Sequence, residues 1–97
     1  MNKLKAILDI TGEPATLENL AEECVELAHA ALKLARIKRG ENPTPAAEED
    51  VLVKLHAEMA DVMCVIMVLM QSDWFDSESV DNLTEMKQQR WMNRLKV

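Results

Sequence analysis

Tyrosine is absent, phenylalanine occurs once, and there are only two glycines, three prolines and two cysteines in 97 residues. So few turn formers exclude a sheet-rich, turn-rich architecture, and 48% hydrophobic with 29% charged residues describes a folded helical protein. Cys24 and Cys64 have no Cys-x-x-Cys spacing, which removes the usual zinc and dithiol redox sites. They read as free, buried thiols of a reducing compartment. A net charge of −6 argues against a nucleic-acid polymer or an anionic membrane as partner, since each is bound by a cationic surface. It leaves open a nucleotide held through a metal. The opening stretch, MNKLKAILDITGEP, has no apolar segment long enough for a signal peptide. The longest apolar run, Val62 to Met70, falls well short of the roughly 20 residues that span a bilayer. The expectation is one cytoplasmic all-α domain over residues 1–97.

Four helices are legible. NKLKAILDI supports a short first helix that stops at Gly12 and Pro14. Thr16 is a candidate cap for a second, in which Leu17, Leu20, Cys24, Leu27, Ala31 and Leu34 recur at steps of three and four until Gly40. ENPTP breaks the chain, with Thr44 as cap and Pro45 in the first turn of a third helix, continuous or split, from about Ala46 to Gln71. Asp76 or Ser77 caps a fourth, with Val80, Leu83, Met86 or Lys87, and Met92 or Leu95 turned inward. Short connections predict a bundle of helices two, three and four with the first packed across it.

The Val62–Met70 run has no polar face, and so small a domain has too few helices to surround it. A second copy is the simplest cover, so the expectation is a four-helix bundle-like fold completed as a homodimer or a dimer of dimers.

Two acidic pairs carry the chemistry. Glu23 and Glu26 are three residues apart on the second helix, as are Glu58 and Asp61 on the third. That step leaves side chains about 60° apart around the axis and about 4.5 Å along it, so each pair can grip one ion. Either pair alone is most simply a solvated helix face. If the helices face each other, four carboxylates converge, a set suited to Mg²⁺ or Mn²⁺ and not to zinc. Glu22, one turn before Glu26, is placed to position or deprotonate a water. Down the same face come His29, Lys33 and Arg36, an order of charges that fits a polyphosphate bridging metal and cations. Lys38 and Arg39 complement the negative end of the helix. Lys87, Arg90 and Arg94 form a second basic stripe on the last helix, as apt for solvent as for phosphate.

EECVEL at 22–27 followed by AEMADV at 57–62 resembles the MazG-like branch of the all-α nucleoside triphosphate pyrophosphohydrolases. ALKLAR, ENPTP and KQQRWMNRL extend the likeness over nearly the whole chain, in the short single-domain form of that family. Ala57 departs from it, standing where the second motif has a further glutamate, and the gap between motifs is a little long. The resemblance implies metal ligation by Glu23, Glu26, Glu58 and Asp61. It implies Mg²⁺-dependent hydrolysis of a nucleoside triphosphate between the α and β phosphates, with phosphate contacts from Lys33, Arg36, Lys87 or Arg90. Two other readings compete. Glu26 and His29 make the Glu-x-x-His step of a di-iron carboxylate bundle, although no second such step follows. A non-catalytic helical interaction module would leave the carboxylates merely solvated.

Overall fold

The computed structural model describes residues 2–41 and 47–96, which form four α-helices and no strand: α1 Lys3–Thr11, α2 Glu13–Arg39, α3 Glu48–Leu69 and α4 Ser77–Leu95. Asn2 starts α1, its side-chain oxygen accepting from the N–H of Leu4 at 3.0 Å. Gly12 ends it with φ 88°, a conformation that suits a residue without Cβ. The same glycine opens α2, its carbonyl accepting from the Thr16 N–H at 3.1 Å and the Thr16 hydroxyl at 2.7 Å. The second helix therefore begins earlier than its periodicity suggested. Pro14 sits in the first turn, where its missing N–H costs nothing. Thr16 is a buried residue of the helix and not its cap.

At the far end Gly40, with φ 71°, donates its N–H to the Arg36 and Ile37 carbonyls in the left-handed cap expected of it. The proposed Thr44–Pro45 cap lies outside the described residues. From Glu48, α3 runs unbroken to Leu69.

α2 and α3 lie antiparallel, as the pairing of Lys38 with Glu48 at one end and of Glu23 with Glu58 and Asp61 further along shows. α1 packs across both, burying Leu8. The covered stripe of α2 is Thr16, Leu20, Glu23, Leu27, Ala30 and Leu34. Leu20, Leu27 and Leu34 are as the sequence suggested, but Leu17, Cys24 and Ala31 are exposed. The two rows lie about 60° apart around α2, and the three-helix core covers only the one formed by Leu20, Leu27 and Leu34. Cys64 is exposed as well, so neither thiol is buried in this chain.

The largest correction concerns α4. It packs against none of the other helices, no residue of it is buried, and Val80, Leu83, Met86, Met92 and Leu95 all face solvent. The core is α1, α2 and α3. α4 is nevertheless well begun: Asp76 accepts from the Ser79 N–H at 3.1 Å and the Ser79 hydroxyl at 2.8 Å, contacts that hold its carboxyl below the ordinary value. The connector before it is anchored to the α1–α2 corner, by Trp74 Nε1–H donating to Glu13 at 3.2 Å and Asn2 Nδ2 to Gln71 at 2.9 Å. Only part of the Val62–Met70 run is covered. Val62, Val68 and Leu69 are buried, while Met63, Met67 and Met70 are exposed. No helix among the described residues is long and apolar enough to cross a membrane.

Candidate metal centre

The α2–α3 pairing brings one carboxylate oxygen from each of Glu23, Glu58 and Asp61 within 4.8 Å of one another. Glu23 comes from the covered stripe of α2. Glu58 and Asp61 come from adjacent turns of α3, just before its apolar half. Three of the four predicted ligands thus meet. Glu26 does not join them and lines the adjoining cleft.

Glu58 is the unusual member, only 3% exposed in a helix whose other buried residues are aliphatic. One of its oxygens accepts from Lys54 Nζ at 2.9 Å, one turn back on α3. The other, Oε2, is buried without a hydrogen-bond partner. A buried carboxylate oxygen is costly to leave without compensation, so this one has room for a further donor or a cation. The surroundings have the right sign for one. The Glu23 carboxyl is pushed above its ordinary value, first by partial burial and then by the charges of Asp61, Glu58, Glu26 and Glu22. An all-oxygen, strongly anionic set with a buried open acceptor fits Mg²⁺ or Mn²⁺.

Beside the triangle lies an open cleft of about 260 Å³ between α2 and α3, lined by Glu26, His29, Ala30, Lys33 and Lys54. Lys33, expected from the sequence as a phosphate contact, is one of the two cations that line this cleft. Lys54 was missed by the sequence reading, although its position one turn before Glu58 was a usable signal. Hydrogen bonding to Glu58 raises the Lys54 pKa further above its ordinary value. Arg36, one turn beyond Lys33, does not line the cleft. Glu22 is exposed and does not line the cleft, although its charge is felt at Glu23. Lys87 and Arg90 ride on α4, which does not reach this region of its own chain. Glu26 and His29, the pair a di-iron site would use, share the cleft with two lysines and stand outside the carboxylate triangle.

Models of known protein families, curated proteins and solved structures give no match to this chain.

Proposed function

We propose that this chain is a Mg²⁺-dependent nucleoside triphosphate pyrophosphohydrolase of the MazG-like kind, cleaving between the α and β phosphates to give a monophosphate and pyrophosphate. The observation that carries the reading is Glu58, a buried carboxylate with one unpartnered oxygen, grouped with two further carboxylates and bonded to Lys54, which lines a cleft together with Lys33. Glu23, Glu58 and Asp61 would hold the ion, with Glu26 at the edge. A bound divalent ion supplies charge neutralisation for the phosphates and acidifies a water.

The chain's own groups do the rest. Lys33 and Lys54 orient the polyphosphate and stabilise the charge that builds on it as the P–O bond lengthens. Water attacks phosphorus at one side of the α–β bridge, its oxygen bonding as the bridging P–O bond breaks. Glu22 takes the proton, and the phosphate group across the bridge from the attacked phosphorus leaves with the bridging oxygen and the bond's electrons. This reading makes the chain a housekeeping enzyme of the cytoplasmic nucleotide pool, working as a homodimer or a dimer of dimers.

The test is incubation of the protein with a panel of nucleoside triphosphates and Mg²⁺, followed by product identification. Monophosphate and pyrophosphate are expected. Diphosphate and orthophosphate would reject the assignment.

A further inference from the structure

The corner where α1 turns into α2 faces the connector that leaves α3, and between them lies an open cleft of about 240 Å³ whose polar lining is Lys5, Asp9, Glu13, Gln71, Ser72 and Asp73. It is distinct from the carboxylate centre: Glu13 stands ten residues before Glu23 on α2, about 15 Å at the helical rise. Ser72 is the telling residue. Only 7% of it is exposed, and its hydroxyl is buried without a hydrogen-bond partner. A hydroxyl in that state is costly, and such groups are as a rule satisfied by a neighbour, an ordered water or a ligand.

The charges around the cleft say what it fits. Three carboxylates, Asp9, Glu13 and Asp73, share it with one ammonium, and that one is already engaged, Lys5 Nζ lying 2.6 Å from Asp9. All three are felt at one place: the Lys5 pKa is held above its ordinary value first by the hydrogen bond to Asp9 and the Asp9 charge, and further by the charges of Asp73 and Glu13. The backbone adds to this. α1 and α3 both end here, and neither has a basic residue in its last turn, so two negative helix ends stand without the cation that favours them. Water satisfies a hydroxyl but leaves that charge. Nor is the set built for one metal ion, since among the described residues it is Glu23, Glu58 and Asp61 that bring three such groups within 4.8 Å, and Mg²⁺ demands compact octahedral ligation. Spread carboxylates suit positive charges carried some way apart on one ligand, and ammonium groups bring several N–H donors each. The cleft is smaller than the roughly 300–1,000 Å³ of a drug-sized site, so the ligand is small.

We propose that this cleft binds a small organic dication, a linear alkyl diamine or polyamine, its ammonium groups taken by Asp9, Glu13 and Asp73 and one of its N–H groups by the Ser72 hydroxyl. Trp74, whose indole N–H donates to Glu13 at 3.2 Å, is held against the same corner and reports the occupant. This second site is independent of the hydrolase reading.

The test uses the full chain carrying Trp91→Phe, which leaves Trp74 as its single tryptophan. At constant ionic strength and in excess Mg²⁺, 1,4-diaminobutane is expected to change the Trp74 emission saturably, with a midpoint below about 1 mM. Butylamine, with one charge, is expected to need at least about tenfold more, since a charge-assisted contact is worth roughly that factor. Asp73→Asn and Ser72→Ala should each raise the diamine midpoint at least about fivefold with helicity intact by circular dichroism, and Glu58→Gln should leave it within about twofold. Amide NMR shifts at residues 8–13 and 71–75 should move in the same titration. No saturable response in either readout, an equal response to butylamine, or a midpoint that Asp73→Asn or a folded Ser72→Ala leaves unchanged overturns the site. A response abolished by Glu58→Gln would put the diamine at the carboxylate centre and overturn it as well. If Ser72→Ala does not fold, Asp73→Asn, at an exposed position, decides.

Discussion

Lys54 Nζ lies 2.9 Å from one oxygen of Glu58, one turn further along α3, and leaves the other oxygen buried and unpartnered. A lysine that is two-thirds exposed thus half-compensates a carboxylate that is almost fully covered. The pair is incomplete as it stands, and on the proposed reading a divalent ion shared with Glu23 and Asp61 would complete it.

If that ion binds, it must stabilise the folded chain, because the unfolded chain has no such site. At about one hundred times the dissociation constant the gain is about 2.7 kcal/mol. Thermal melts with Mg²⁺ and with chelator are expected to separate for the wild type and to coincide for Glu58→Gln, which keeps the shape and removes the charge. A metal-independent melt of the wild type would favour the interaction module over the enzyme.

Replacing Lys54 with methionine keeps the stem of the side chain and strands the Glu58 charge. The variant is expected to melt below the wild type in chelator and to recover most of the difference in Mg²⁺, since the ion supplies the missing positive charge. Equal loss in both conditions would mean that Lys54 matters only by packing.

The pH dependence has a definite sign. Glu23 holds its proton more tightly in the folded chain than in the unfolded one, through partial burial and then its acidic neighbours. The associated stability is fully present below the unfolded value of about 4.5 and is lost as pH rises through the folded value. In chelator, the melting temperature of the wild type relative to Glu23→Gln should therefore fall as pH is raised through that window. Mg²⁺, which binds the ionised form, should reduce the difference, and carboxyl NMR titration should show the Glu23 midpoint moving down.

Lys33 lines the cleft beside the carboxylates and Arg36 does not. Removing a cation that touches phosphate costs about 1.5–3 kcal/mol, roughly ten- to a hundredfold in kcat/KM. Lys33→Ala is expected in that range, and Arg36→Ala within about threefold of wild type. Steady-state kinetics on the best substrate of the panel decides. Alanine at Glu58 or Asp61 should cost more than about tenfold in kcat, since both belong to the proposed ion site.

The all-α class, the four helices, the stops at Gly12 and Gly40, a cap at Asp76 or Ser77 and the spacing of each carboxylate pair were determined by the sequence alone. These are local properties: capping, glycine conformation and the 3.6-residue repeat act within a few residues and need no partner helix. Tertiary structure decided the rest. It selected the Leu20–Leu27–Leu34 stripe of α2 over the Leu17–Cys24–Ala31 stripe, brought Glu23 into the triangle while leaving Glu26 in the cleft, set Lys54 against a buried Glu58, and left α4 without a partner in its own chain. Each of these turns on the rotation and register of one helix against another. One residue moves a side chain about 100° around the axis, and only the packed surfaces select among the alternatives.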